Sequence, residues 1–234
     1  MTSADTRQSE WDDAYQRGDN FLFYPNEEVI RFFARKVAKR TGINEIRYHS
    51  GFGTQTRVLD FGCGIGRHVK FAKELGLDAC GIDLSVHAIS TGREWLSGCG
   101  FEAAEDLLVQ GEGGALPFDD GSFDIAVSHG VLDSMPFAIA LECMAEISRV
   151  LKPGSLFYLD LISNDDTDVE PGFSSEVVVE KQHEIGTIQS YFDEAKIDRL
   201  LGNSFDLIEK VHVQRRDITA NTRGGRYHLI ASRI

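Results

Sequence analysis

The chain has 234 residues, 42% of them hydrophobic, enough for one α/β domain with a full core. Its 24 basic and 37 acidic residues leave a net charge of −13, which repels a phosphate backbone, so no nucleic-acid partner is expected. Met1-Thr2-Ser3-Ala4-Asp5 lacks the basic start and apolar core of a signal peptide, and the longest apolar stretch, 125–145, is broken by His129, Asp133 and Pro136, so no membrane association is expected.

In chain order, Trp11-Asp12-Asp13-Ala14-Tyr15 predicts a short helix, and 18–24 an aromatic-rich loop before Pro25-Asn26 opens the next helix. Aromatics this dense outside a sheet suit a lid over a site, or simply pin the arm down; Tyr15 and Tyr24, with polar tips, are the candidate site contributors. On the following helix Arg31, Arg35 and Lys39 share one face and Val29, Ile30, Phe33 and Val37 another, an amphipathic helix with positive charge toward its C-terminal end. Residues 1–50 are therefore expected to form a helical arm, and 51–234 the main domain.

Val58-Leu59-Asp60-Phe61 reads as a buried strand ending in an acid, followed by Gly62, Gly64 and Gly66 and a helix over 67–75. Glycine lets the backbone adopt forbidden conformations and approach a ligand closely, and the free N–H groups of the helix point back into the same turn. A P-loop needs Gly-Lys-Ser/Thr, whereas this turn has Gly66-Arg67-His68; a dinucleotide turn needs a third glycine where Arg67 stands. A carboxylate at Asp60 would repel pyrophosphate and argues for a ligand with a positive end.

The next strand, 79–83, ends in Asp83, and Ser85 is an N-cap for a helix to about Leu96. An acid in that place holds ribose hydroxyls in nucleotide sites; its alternative is a cap. Further on come Gln110-Gly111-Glu112-Gly113, then Leu116-Pro117-Phe118 and Ser122-Phe123-Asp124, then a buried strand ending at His129. Leu151-Lys152-Pro153-Gly154 ends a helix in a turn before a strand over 155–161. A polar, acidic loop over 163–175, a helix near 191–201 ending at Gly202, and strands over 205–213 and 226–232 complete the chain. Strands alternating with helices imply a parallel sheet covered on both faces.

The run D-x-G-C-G-x-G from Asp60 to Gly66 resembles motif I of the class I S-adenosylmethionine (SAM) methyltransferases, and the strand-end acid, Leu-Pro-Phe, Ser-Phe-Asp and Leu-Lys-Pro-Gly segments resemble that family's later signatures in order, over about 57–161. The resemblance implies a Rossmann-like α/β fold: a mainly parallel seven-stranded sheet, an antiparallel C-terminal hairpin and helices on both faces. It implies SAM as cofactor and S-adenosylhomocysteine as product. The residues expected to hold the cofactor are Asp60, Gly62, Cys63, Gly64, Gly66, Asp83, Leu84, Glu112, Gly113 and His129, with Glu112 on the adenine, where relatives usually carry Asp-Ala.

The expected reaction is in-line transfer of methyl to oxygen or nitrogen of a small molecule, catalysed mostly by positioning and desolvation. His129 is the candidate general base, against a reading in which it only contacts the cofactor. Asp133, His183 and Tyr191 are further acceptor-side candidates; Arg226 and His228 are expected to support the sheet edge. A SAM-binding partner protein without turnover is the alternative function, and a nucleotide-dependent oxidoreductase is disfavoured by the missing glycine. The four cysteines, Cys63, Cys80, Cys99 and Cys143, show no paired spacing and read as free thiols in a reducing compartment, and the seven histidines show no metal-binding spacing. A cytoplasmic monomer or homodimer without a metal is expected.

Overall fold

A computed structural model describes residues 3–18, 20–180 and 184–234. The sheet is built on β3 (Arg57–Phe61), β4 (Asp78–Asp83), β5 (Leu108–Gln110), β6 (Phe123–Ser128) and β7 (Leu151–Ile162), all parallel, with β11 (Thr222–Arg233) antiparallel to β7 and β10 (Phe205–Asp217) antiparallel to β11. Its order is β10-β11-β7-β6-β3-β4-β5. The chain steps outward from β3 through β4 and β5, then returns to the other side of β3 for β6 and β7. The order reverses between β3 and β6, so a crevice opens at their C-terminal ends, where motif I and His129 both lie.

The strands are apolar on both faces because helices cover both. One face packs Leu59, Phe61, Phe157 and Leu159 against α6 (Phe137–Val150) and α7 (Glu194–Leu201). The other packs Val58, Val127, Tyr158 and Ile230 against α2 (Glu27–Lys36), α3 (Arg67–Glu74) and α4 (Val86–Gly98). Helix α2 starts where Asn26 accepts from the N–H of Glu28, and it buries Val29, Phe32 and Phe33. Its expected extension to Lys39 is not seen. The chain leaves the helix at Val37, and Ala38 opens β1 (Ala38–Arg40), paired with β2 (Ile46–Tyr48), so Lys39 lies on a strand and the expected charged face shortens to Arg31 and Arg35. That charge is neutralised in pairs: Arg31 with Glu27, and Arg35 and Lys36 with Glu209.

Two other boundaries differ from the sequence pattern. Leu151-Lys152-Pro153-Gly154 belongs to β7, with Gly154 at φ 79° and a register shift opposite Phe123 and Ile125 absorbing the irregularity. The C-terminal hairpin is longer than expected: β11 pairs with β7 only over Arg226–Ser232, and the rest of the hairpin projects past the open end of the sheet. A small hairpin, β8 (Glu176–Val178) with β9 (Ile188–Ser190), lies nearby. It is tied down by buried Lys196, whose Nζ donates to Ser174 O (3.1 Å), Ser190 Oγ (2.7 Å) and Tyr191 O (2.9 Å) and stands over the Phe192 ring.

Candidate functional site

Where β3 ends, Gly62, Gly64 and Gly66 all take positive φ (70°, 54° and 83°). A side chain at Gly62 would collide with Val131, and one at Gly64 with the Tyr15 hydroxyl, so these positions need glycine twice over. Asp60, just before the turn, is 2% exposed, and neither carboxylate oxygen has a hydrogen-bond partner. The His68 ring lies beside it, with Nδ1 at 3.6 Å. His68 Nε2 accepts from the N–H of Asn26 (3.2 Å), which leaves its ring proton on Nδ1, facing Asp60. Unpartnered buried carboxylates are costly, so Asp60 is a charge awaiting a donor.

Asp83, at the end of β4, accepts from Gly64 N–H (2.8 Å) through one oxygen and Ser85 N–H (2.9 Å) through the other. It thus ties the glycine turn to the next strand, while the cap of α4 is Ser85 itself, through Ala88 N–H. Burial pushes the Asp83 carboxyl up to about 6, against the pull of those two N–H groups. Cys63 is buried beside Asp83 and Asp60, burial foremost drives its thiol pKa well upward, and it is therefore no nucleophile.

The first helix, α1 (Ser3–Gln16), lies over this turn. Arg7 Nη2 donates to Glu112 Oε1 (2.8 Å), Asp12 Oδ1 accepts from Ser85 Oγ (2.5 Å) and His87 N–H (3.1 Å), and Tyr15 packs with Ile65 and Ala88, flanked by Trp11 and Phe21. The space left between α1 and the strand ends, walled by Phe61, Gly62, Asp83, Leu84, Glu112 and Gly113, is about 60 Å³. Ligand pockets usually run to ~300 Å³ or more, so with α1 in this position the turn is covered.

Beside it, the open ends of β6 and β7, the first turn of α2 and the projecting hairpin enclose a second cavity of about 400 Å³. Its polar wall is a connected set. Arg226 donates from Nη2 to Asp133 (2.6 Å) and from Nε to Asp160 (2.7 Å), and both carboxylates are buried. They are fixed in turn by backbone, Asp133 by Ile162 N–H (2.7 Å) and Asp160 by Gly130 N–H (2.6 Å). His129 Nε2 lies 3.5 Å from Asp160, and its Nδ1 lies 3.4 Å from Arg67 Nη2. A guanidinium only donates, so the Nδ1 lone pair faces Arg67, the proton is on Nε2, and no lone pair of His129 is turned into the cavity. Burial foremost lowers its pKa to about 4, and the ring is neutral.

Known proteins resemble this chain in sequence and in fold. A family model described as a methyltransferase domain matches residues 59–159. A demethylmenaquinone methyltransferase of Staphylococcus aureus is 30% identical over 147 residues, covering 61% of this chain and 53% of the relative. A SAM-dependent methyltransferase of Methanosarcina mazei aligns with a TM-score of 0.61 at 24% identity, over 78% of this chain and 94% of that one. The 1,6-didemethyltoxoflavin-N1-methyltransferase of Burkholderia thailandensis, solved with that compound and S-adenosylhomocysteine, aligns at 0.64 and 18% identity over 98% of this chain and 88% of that one. At these identities the structures establish the fold, a Rossmann-like methyltransferase α/β fold. The chain spans about half the length of the curated relatives it matches.

In the structure the expected site residues divide. Asp60, Gly62, Cys63, Gly64, Gly66, Asp83, Leu84, Glu112 and Gly113 gather at the covered turn, with Tyr15 above them. His129 lines the larger cavity, and Asp133 stands behind Arg226. Tyr24 is 84% exposed in a surface recess beside Trp95, and Tyr191 is buried against Phe173; neither ring reaches the two cavities. His183 lies outside the described residues. Arg226 and His228, expected only to support the sheet edge, line the larger cavity instead. Both pair with β7, opposite Ile162 and Asp160, and the hairpin continues past that pairing with Val213, Arg215, Gly224 and Gly225 along the same cavity, so this end of the strand becomes a wall rather than an edge. Arg7, Asp12, Arg67, His68 and Asp160 were not singled out either; each acts through a partner distant in sequence. Among the described residues no group of three or more His, Cys, Asp or Glu could hold a metal ion, and no helix is long and apolar enough to cross a membrane.

Proposed function

We propose that the chain is a SAM-dependent methyltransferase that moves a methyl group to oxygen or nitrogen of a small molecule. The observation that carries this reading is Asp60: a buried carboxylate with both oxygens unpartnered, beside a turn of three positive-φ glycines at the switch point of the sheet. A ligand with an ammonium and a sulfonium supplies the missing positive charge, whereas a pyrophosphate would add a second anion.

SAM, when bound, supplies a methyl group activated by a sulfonium. Asp60 would face its ammonium, Asp83 and Leu84 its ribose, and Glu112 and Gly113 its adenine, with the Gly62–Gly66 backbone and His129 along its amino-acid end. Glu112 already accepts a charge-assisted bond from Arg7, so it is placed to accept from an exocyclic amine. The arm of residues 1–50 would act through α1 as a lid: it must lift to admit the cofactor and, once back, would exclude water. The cavity of about 400 Å³ holds the acceptor; its size suits a small molecule, and its rigid polar wall orients the attacking atom.

Calorimetry with SAM, S-adenosylhomocysteine and NAD tests the reading, followed by methyl-labelled SAM with a small-molecule extract of the producing cell. SAM binding and a labelled small product are expected. Tight NAD binding without SAM binding, or label found only in macromolecules, would overturn it.

A further inference from the structure

Two imidazoles line the larger cavity, and the structure gives them different tasks. His129 spends its lone pair on Arg67 and turns its other nitrogen to Asp160. His228, on β11, has one nitrogen engaged: Nδ1 lies 2.8 Å from the Tyr158 hydroxyl, and the ring stacks on that phenol. Its Nε2 has no hydrogen-bond partner among the described residues. His228 is half-buried, and the cavity is the space it borders. The Tyr158 hydroxyl can either donate to Nδ1 or accept from Nδ1–H, so Nε2 can carry a proton or a lone pair with the same partner in place.

The charges facing His228 decide what it can serve. Asp160 of β7, Glu28 of α2, Arg226 of its own strand and Arg215 of β10 act on it, with Tyr158 beside it. Burial comes first and lowers its pKa, and Asp160 and Glu28 partly offset that, so the ring is neutral at pH 7. Around the cavity, the carboxylates of Glu27, Glu28 and Asp166, with Asp133 and Asp160 behind Arg226, outnumber the guanidinium groups of Arg215 and Arg226. An anionic acceptor finds no unpaired buried cation here.

We propose that His228 is the acid–base residue facing the acceptor, and that the acceptor is an uncharged small molecule whose O–H or N–H loses its proton as the oxygen or nitrogen takes the methyl group. The assignment rests on the methyltransferase reading above. In the step, His228 Nε2 takes the proton from the acceptor. The acceptor atom's electron pair forms the new bond to carbon, and the carbon–sulfur pair stays with sulfur. The positive charge lost at sulfur reappears on the imidazolium, where Asp160 and Glu28 face it and the Tyr158 oxygen accepts from Nδ1–H. The proton then leaves through the cavity mouth to water.

The test compares wild type, His228→Gln, His228→Ala and Tyr158→Phe for label transfer from methyl-labelled SAM to the small-molecule extract between pH 5 and 9, with SAM calorimetry on each protein. Loss of a positioned base slows such steps by about 10²-fold or more. The expected result is that loss in His228→Gln, disappearance of the acid limb of the pH profile, unchanged SAM affinity, and partial rescue of His228→Ala by added imidazole. Ring-¹⁵N spectra of the unliganded protein give a readout apart from activity: His228 neutral at pH 7, with its Nδ1 signal displaced in Tyr158→Phe. An unchanged rate and pH profile in His228→Gln, or an imidazolium at pH 7, overturns the assignment. Failure of the wild-type protein to bind SAM or to label any small molecule overturns the reading beneath it.

Discussion

Replacing Arg226 by Met tests whether the cavity wall is held by charge. The guanidinium is the counter-ion of two carboxylates, Asp133 and Asp160, whose side chains are 1% and 0% exposed. Removing one partner of a buried ionic set costs ~3–5 kcal/mol, because the remaining charges stay buried without compensation. Arg226 still shows 33% of its side chain to the cavity, so the lower end, about 3 kcal/mol, applies. At ~2–4 °C per kcal/mol for a chain of this size, the melting temperature should fall by about 6–12 °C at pH 8. Burial already raises the Asp133 carboxyl to about 6, with Arg226 opposing it, whereas at Asp160 burial is outweighed by Arg226 and its neighbours and the carboxyl sits below its ordinary value; without Arg226, Asp133 rises further and Asp160 rises with it. An acid raised in the folded state contributes stability that is present at low pH and lost as pH rises through the folded pKa. The deficit of Arg226→Met should therefore shrink between pH 8 and pH 5. Thermal unfolding followed by far-UV circular dichroism at both pH values reads it out. A deficit equal at the two pH values, or a melting temperature within about 2 °C of wild type at pH 8, would refute the argument.

Two further substitutions separate binding from stability. Asp60→Asn removes an unpartnered buried charge, so the unliganded protein should melt at the same or a higher temperature, while SAM affinity in calorimetry should fall by about tenfold or more, the worth of a charge-assisted bond; unchanged affinity would remove Asp60 from the site. The Asp83 carboxyl, raised to about 6, contributes stability that is fully present below about 4 and lost as pH rises through 6, so Asp83→Asn should flatten that part of the stability–pH curve. Melting curves between pH 4 and 7.5 that keep the same slope in the variant would contradict this.

How far the sequence reached depends on the distance between partners. The strand-end acids, the glycine turn, Ser85 as a cap and the alternation of strands and helices rest on neighbours in the chain, and all are found where the pattern put them. The Asp133–Arg226–Asp160 set joins residues up to 93 positions apart, and no local spacing records it. Arg226 and His228 do pair with β7, opposite Ile162 and Asp160, as sheet residues would; what makes that strand end a cavity wall is the first turn of α2 and the extension of the hairpin beyond it, and the exposed, polar turn of that hairpin carries no strand signal. The basic run from Arg31 to Arg40 carries a one-helix pattern because its apolar residues keep helical spacing through Val37; pairing of Ala38 with Tyr48, a tertiary event, ends the helix.

The two halves of the site differ in what holds them, and that difference orders their motions. Val127, Tyr158 and Ile230 pack in the core under α2, and His129, Asp160 and His228 each lie two residues away, Asp160 and His228 on the same strands and His129 just past the end of β6. The wall of the larger cavity, where the acceptor is proposed to bind, is thus a continuation of a close-packed layer, fixed in the same register. Helix α1 is held otherwise, by the polar contacts of Arg7 and Asp12 and a small cluster around Tyr15. Exposed pairs such as Arg7–Glu112 contribute ~0–1 kcal/mol, so opening α1 costs far less than disturbing β7 or β11. Hydrogen exchange should show α1 amides exchanging well ahead of those in β7 and β11, and SAM should slow α1 while leaving β11 unchanged. Protection of α1 equal to that of β11 without SAM would mean that the helix is part of the core and that the cofactor enters by another route.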